Sequence, residues 1–197
     1  MAGVQARFVL VGDVDPGNPA SIPVAQLHSW TERGFVEWWG FRKDMPEVLA
    51  QSHVVCLPSY REGIPRILIE AAAAGKPIVT TDAPGCRELI RPGENGLLVR
   101  VGDTPDLRDS LRMLIEDPEM RKSMGLNNRQ LAVREFAQEI VISQFINIYD
   151  ELLGISESGE VNTPVADMEA GVPQSMLSAG QGLPDALLSG GVTGHAK

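Results

Sequence analysis

A strand–turn–helix–strand pattern between residues 53 and 80 constrains the fold more than any other part of the sequence. The run from His53 to Leu57 is short and apolar, as expected of a buried strand. A helix is predicted over Pro65 to Ala74, because this segment starts with a proline, is rich in alanine and is followed by Gly75. A further strand is predicted at Ile78 to Thr80. A helix between two apolar strands is typical of a parallel sheet.

The same alternation extends over most of the chain. Further strands and helix starts are predicted at Phe8 to Val11, Pro23, Phe35 to Trp39, Asp44 to Pro46, Gly96 to Val99, Thr104-Pro105, Asp117-Pro118 and Gln138 to Leu153. This order predicts an α/β fold, a Rossmann-like doubly wound parallel sheet, over residues 1–153. Such sheets bind ligands at the carboxyl ends of their strands, which singles out the turns after Gly12, Gly40, Leu57 and Thr81.

The composition changes at Gly154. Residues 154–197 contain no aromatic residue and carry five acids against one base, Lys197. Such a segment buries too little apolar surface to offset the entropy of the chain, so it is predicted to be a disordered tail. The alternative is a short partner-binding helix built on the apolar residues between Met176 and Leu188.

Charge and composition exclude several functional classes. The net charge of −9 argues against a nucleic-acid partner, which requires a basic surface. The two cysteines and three histidines show no metal-ligand spacing, so no metal is expected. No segment approaches the roughly 20 apolar residues of a membrane span, and the N-terminus does not resemble a signal peptide. We therefore expect a cytoplasmic protein with at most peripheral membrane association.

Two glutamates flank the turn that precedes the helix at Pro65. At that turn, free N–H groups and the positive end of the helix dipole favour a diphosphate, and Gly63 allows the backbone to approach it closely. Glu62 lies in the turn, and Glu70 lies roughly 7–8 Å along the helix. Carboxylates there suit sugar hydroxyls, one of a donor sugar and one of a ribose. On spacing alone, a solvated turn acid and a surface helix acid explain the pair as well.

The surrounding residues resemble a known family. Glu62, seven intervening residues and Glu70 are similar to the E-x7-E motif of the retaining GT-B glycosyltransferases of family 4, the group 1 glycosyltransferases. The resemblance covers residues 7 to 153 in consistent order, and its segments are Val9 to Gly12, Trp39 to Phe41, Leu57 to Gly63, Glu70 to Val79, Pro84 to Glu88 and Gly93 to Val99.

The resemblance implies a nucleotide-sugar site. By this similarity Glu62 is the catalytic-site residue that contacts donor-sugar hydroxyls, and Glu70 contacts the ribose. The other donor-binding positions that it implies are Gly12, Phe41 and Arg42 beside the nucleobase, Ser59, and the Gly63-Ile64-Pro65 turn at the diphosphate. No cofactor is expected besides the nucleoside-diphosphate sugar, which is a substrate. Arg87 and Glu88 are either part of this site or an exposed charge pair.

The implied reaction transfers a hexose or N-acetylhexosamine from the donor to a glycan or lipid-linked acceptor, with retention, in bacterial surface polysaccharide synthesis. The family's domain begins with an earlier strand, whose turn carries an arginine and a lysine, and no counterpart is seen here. The resemblance therefore implies an N-terminally truncated donor domain that is inactive alone and lacks an acceptor domain or companion chain. The alternatives are a non-catalytic nucleotide-binding module, a degenerate fragment, or a nucleotide-sugar epimerase on the same fold.

Overall fold

The computed structural model describes residues 5–18 and 21–154. Its elements are β1 (Val9–Leu10), α1 (Val24–Glu32), β2 (Glu37–Trp38), α2 (Met45–Ala50), β3 (Val55–Leu57), α3 (Arg66–Ala73), β4 (Ile78–Thr81), a 3-10 helix (Arg87–Leu89), β5 (Gly96–Val99), α4 (Thr104–Glu116), α5 (Pro118–Glu135) and α6 (Gln138–Leu153). The predicted alternation of strands and helices is confirmed. The predicted tail lies outside the described residues from position 155 onward.

All paired strands are parallel, as predicted. β1 pairs with β2, and Val9 is in register with Glu37. β3, β4 and β5 form a second sheet in that order, with Val55 in register with Ile78 and Ile78 with Gly96. The expected parallel sheet is therefore divided into two within the described part of the chain. In both sheets the carboxyl ends of neighbouring strands meet at one edge.

The three-stranded sheet is covered on both faces. On β4, Ile78 packs in a core cluster with Leu68 and Ala71 of α3, whereas the next residue, Val79, packs with a cluster from α4 and α5. Leu114 of α4 belongs to that second cluster and is fully buried. Because successive strand residues point to opposite faces, one strand anchors helices on both sides, which is the doubly wound arrangement.

Side-chain caps fix the starts of α4 and α5. Asp103 accepts a hydrogen bond from the Asp106 N–H at 2.9 Å, and Asp117 accepts one from the Met120 N–H at 2.8 Å. The start of α5 is as predicted. The predicted cap of α4 at Thr104 is displaced by one residue, because the carboxylate of Asp103 takes the capping position.

A buried asparagine fastens α5 to the sheet. The Asn128 Nδ2 donates to the Lys76 carbonyl at 2.7 Å and to the Asn95 carbonyl at 2.6 Å. Those carbonyls precede β4 and β5 respectively. Close by, a Cβ built on Gly125 of α5 would overlap the carbonyl oxygen of Gly75. The helix therefore lies directly against the backbone that leads from α3 into β4.

The last helix packs differently from the others. α6 has no buried residue, and its apolar side chains at Ile142, Phe145, Ile146, Tyr149 and Leu152 are exposed. Its amphipathic sequence predicts an apolar face, and the structure leaves that face toward solvent. Among the described residues, no helix is long and apolar enough to cross a bilayer.

Candidate functional site

The loop after β3 is held by the end of β4. The Thr80 hydroxyl donates to the Leu57 carbonyl at 2.7 Å, and the Thr81 hydroxyl donates to the Ser59 carbonyl. Both threonines are buried. Because β3 and β4 are parallel neighbours, their carboxyl ends meet, and β4 thereby sets the course of the chain as it leaves β3. Sequence reasoning missed this role, although two hydroxyl residues ending an apolar strand were a signal for it.

Glu62 is oriented from two sides. The Ser59 hydroxyl donates to the Glu62 Oε1 at 2.7 Å, and the Glu62 N–H donates to the Pro84 carbonyl at 3.1 Å. Ser59 and Glu62 are both half-buried. The structure thus brings together two residues that the sequence placed in the site, and it leaves the second carboxylate oxygen of Glu62 to accept hydrogen bonds from a ligand.

The turn at Glu62 and Gly63 packs against the backbone of the next loop. Gly85 has a φ of +88°, and a Cβ built on it would overlap the carbonyl oxygens of Glu62 and Gly63. Only glycine fits such a position, because it tolerates positive φ and has no side chain. Sequence analysis did not assign Gly85 a role, although the Pro84-Gly85 pair is a turn signal.

α3 begins directly after this turn. Ile64 is exposed, and Pro65 is buried with an extended backbone, φ −71° and ψ 115°. Pro65 is therefore the residue before the helix, whereas the sequence predicted it as the first helical residue. In the described structure no side chain caps this end of the helix. The backbone N–H groups of Arg66 and Ile67 are consequently available to an anion.

Glu70 lies one turn into α3 and pairs with the guanidinium of Arg66. The Arg66 Nε donates to the Glu70 Oε1 at 2.7 Å. The Arg66 side chain is 90% exposed and that of Glu70 is 30% exposed. The carboxylate is thus held along the surface of the helix, roughly 6 Å beyond its first residue.

The predicted residues of the first sheet form a second group. The Gly12 N–H donates to the Gly40 carbonyl at 2.8 Å, so the ends of β1 and β2 lie side by side. Phe41 is exposed. The Arg42 guanidinium hydrogen-bonds Asp44, which raises the pKa of Arg42 and lowers that of Asp44. Within the described part of the chain, no hydrogen bond or ion pair joins Gly12, Phe41 or Arg42 to the group around Glu62.

Arg87 pairs with the strand end rather than with its neighbour Glu88. Its Nη2 donates to the Asp82 carbonyl at 2.9 Å, and its Nε lies 3.2 Å from the Asp82 carboxylate. Arg87 therefore stands at the end of β4 with its charge already paired. Residues 5–18 and 21–154 contain no cluster of three or more histidine, cysteine, aspartate or glutamate side chains that could hold a metal ion.

A cleft of about 180 Å³ lies beside the Glu62 turn, at the carboxyl ends of β3, β4 and β5. Its lining includes Ser59, Tyr60, Thr81, Arg100 and Gly102, but neither Glu62 nor Glu70. It is smaller than most ligand pockets, which enclose about 300–1,000 Å³. The two glutamates therefore lie outside the cleft, and Glu62 is linked to its wall by the hydrogen bond from Ser59.

Comparison with known proteins identifies similar sequences. The sequence model of the family described as "Glycosyl transferases group 1" matches residues 2–117. An N,N'-diacetylbacillosaminyl-diphospho-undecaprenol alpha-1,3-N-acetylgalactosaminyltransferase of Campylobacter jejuni is 34% identical over 76% of this chain and 38% of its own length. An N-acetyl-alpha-D-glucosaminyl L-malate synthase of Bacillus anthracis is 31% identical over 80% and 41%. The chain thus spans about 40% of the length of these relatives.

Solved structures show the same similarity. HepE of Anabaena in complex with UDP is 29% identical, with a TM-score of 0.67 over 74% of this chain and 41% of that one. The same protein in complex with UDP-glucose gives a TM-score of 0.66. The C-terminal domain of a group 1 glycosyl transferase from Francisella tularensis, 24% identical with a TM-score of 0.52, shares the fold over 58% of this chain.

Proposed function

Because the chain belongs to the group 1 glycosyl transferases, we propose that the surface around Glu62 and Glu70 binds a nucleoside-diphosphate sugar. One observation carries the proposal. A turn oriented by Ser59 and Gly85 delivers Glu62 to the uncapped start of α3, and Glu70 follows one helical turn later. Uncapped N–H groups favour a diphosphate, and carboxylates on either side favour hydroxyl groups.

The diphosphate is assigned to the start of α3. The Gly63-Ile64-Pro65 backbone approaches it, and the N–H groups of Arg66 and Ile67 point toward it. Glu62 accepts hydrogen bonds from hydroxyls of the donor sugar through the carboxylate oxygen that Ser59 leaves free. In this arrangement Ser59 prevents the carboxylate from rotating, so the acceptor atom is preorganised for the sugar.

The nucleoside is assigned to the other side of the same turn. Glu70 accepts hydrogen bonds from the ribose hydroxyls, because it lies roughly 6 Å beyond the first residue of the helix, about the distance between the diphosphate and the ribose of one nucleotide. Phe41 and Arg42 border the nucleobase, and Gly12 lines the approach at the end of β1. The exposed ring of Phe41 provides a flat apolar surface for a base.

We infer that the whole enzyme transfers a hexose or N-acetylhexosamine, with retention, to a glycan or lipid-linked acceptor in bacterial surface polysaccharide synthesis. The support comes from relatives. The Campylobacter protein is named for N-acetylgalactosaminyl transfer to a diphospho-undecaprenol-linked sugar, and a Staphylococcus aureus relative is named for capsular polysaccharide biosynthesis. HepE, whose complexes contain UDP and UDP-glucose, supports a uridine donor.

Nuclear magnetic resonance titration with UDP and 2'-deoxy-UDP tests the proposed site. We expect UDP to bind near the millimolar range, about −4 kcal/mol. Glu70→Ala is expected to weaken UDP binding by about tenfold and 2'-deoxy-UDP binding much less, because only the ribose offers both hydroxyls.

Glu116→Ala serves as the matched control, since Glu116 is also a helical glutamate paired with an arginine four residues earlier. It should leave both affinities unchanged. Equal weakening of both nucleotides by Glu70→Ala would remove ribose recognition from Glu70.

A further inference from the structure

We propose that Arg66 is a positioning residue of the donor site, which holds the Glu70 carboxylate for the ribose and offers its other N–H groups to the diphosphate. This inference rests on the proposed function. It concerns a residue outside the E-x7-E pair and outside the turn that precedes α3.

The position of Arg66 joins the two halves of the site. It is the first residue of α3, where backbone N–H groups are uncapped, and Glu70 is four residues further on. Its Nε donates to the Glu70 Oε1 at 2.7 Å, and this is the one side-chain hydrogen bond of Arg66 within the described residues. A guanidinium has five N–H donors, so four remain for a ligand. With 90% of the side chain exposed, these four are accessible.

Helix stability does not explain this placement. A cation at a helix N-terminus opposes the helix dipole and slightly destabilises the helix. An ion pair spaced four residues apart stabilises the helix by a similarly small amount, and the order arginine before glutamate is the less favourable one. The two effects roughly cancel. An arginine at the start of α3 therefore adds little to the fold, whereas it adds a positive charge where the diphosphate is proposed to bind.

The charges of the proposed complex make such a cation useful. Diphosphate and the carboxylates of Glu62 and Glu70 are all negative, and they are proposed to lie within a few ångströms of one another. A planar guanidinium can hydrogen-bond a carboxylate through one edge and a phosphate through another, which an ammonium group cannot do with the same geometry. Arg66 thus reduces the repulsion and keeps Glu70 at the distance of the ribose.

The test measures the UDP dissociation constant of wild type, Arg66→Gln and Arg66→Lys at about 50 mM and 500 mM salt. At low salt we expect Arg66→Gln to weaken binding by about tenfold, because a charge-assisted hydrogen bond to phosphate is lost. The difference between wild type and Arg66→Gln should shrink at high salt, since the salt dependence reports the charge contributed to the ligand. Arg66→Lys should restore the salt dependence and only part of the affinity.

Arg112→Gln is the matched control, because Arg112 is an exposed arginine paired with a glutamate four residues later on α4. It should leave UDP affinity within about twofold of wild type. A loss for Arg66→Gln that equals that of Arg112→Gln, or that is the same at both salt concentrations, would overturn the inference. UDP binding that depends on Glu70 but not on Arg66 would overturn this inference alone. Failure of wild type to bind UDP would overturn the proposed function with it.

Discussion

At the residue scale, Gly85 supports the predicted site through close backbone packing. Its positive φ and the overlap that a Cβ would cause with Glu62 and Gly63 make it the support on which the turn lies. Gly93 offers a comparison, because its φ is +81° but nothing lies within 4 Å of a Cβ built there. The two glycines therefore separate backbone strain from close packing.

Gly85→Ala is expected to lower the free energy of unfolding by about 1–3 kcal/mol more than Gly93→Ala, as measured by urea denaturation. Both variants carry the strain of an alanine at positive φ, about 1–2 kcal/mol, but only Gly85→Ala adds overlap with backbone atoms. Gly85→Ala should also weaken UDP binding because the Glu62 turn must move. Equal destabilisation by the two substitutions would show that the loops separate easily.

The site residues differ in how far sequence predicts them. Glu62 and Glu70 are predicted to be site residues from their resemblance to the E-x7-E motif, because both lie within one short segment. Thr81 and Gly85 were missed because their partners lie more than 20 residues away and meet them only when β3 and β4 pair. Contacts of that kind depend on strand order, which local sequence patterns do not specify.

At the scale of the secondary-structure elements, one buried polar residue, Asn128, joins α5 to the sheet. Asn128 is fully buried and its Nδ2 bonds two carbonyls, one before β4 and one before β5, whereas its Oδ1 has no partner within residues 5–18 and 21–154. The neighbouring Asn127 makes a similar bond to the Glu94 carbonyl at 2.7 Å, but in an exposed position. The chain thus contains two adjacent asparagines that differ mainly in burial.

Asn128→Ala is expected to lower the free energy of unfolding by about 2–4 kcal/mol, because it removes the donor from one buried and one part-buried carbonyl. Asn127→Ala should cost less than about 1 kcal/mol, since water replaces the lost bond at the surface. Urea denaturation of both variants measures the difference. Costs that agree within error would show that water reaches the Asn128 carbonyls in the native state.

Local sequence signals predict several element boundaries, but they do not predict how the elements pack. β5 and α6 begin and end as predicted, and α5 begins at its predicted Asp-Pro signal. β1 and β2 are each shorter than predicted at both ends. The sequence predicts that α6 is amphipathic. Periodicity alone does not say which surface covers its apolar face, and in the structure the apolar side chains of this helix are exposed.

At the scale of the whole molecule, the predicted site residues form two groups on two sheets. In the first group Ser59 hydrogen-bonds Glu62, and Arg66 hydrogen-bonds Glu70. The second group, Gly12, Phe41 and Arg42, lies at the ends of β1 and β2. A nucleotide sugar that contacts both groups would link the two sheets. Donor binding is therefore expected to raise the stability of the chain by mass action, in proportion to its affinity.

The polypeptide of residues 1–197 spans about 40% of the length of its relatives. We expect it to bind UDP but to show no measurable transfer. Positioning an acceptor hydroxyl against the donor carbon contributes roughly 7–11 kcal/mol, and the residues identified in the site are all assigned to the donor. Removing one preorganised donor that stabilises a developing charge typically costs about 100- to 1,000-fold.

The measurement follows UDP release from several UDP-sugars in the presence of a mixed pool of glycan and lipid-linked acceptors. Release should stay at the rate of the protein-free control, and Glu62→Ala should not change it, while both proteins still bind UDP in titrations. Steady turnover by the wild-type chain that disappears in Glu62→Ala would contradict the prediction. It would mean that residues assigned here to structure, or a second copy of the chain, hold the acceptor and stabilise the leaving diphosphate.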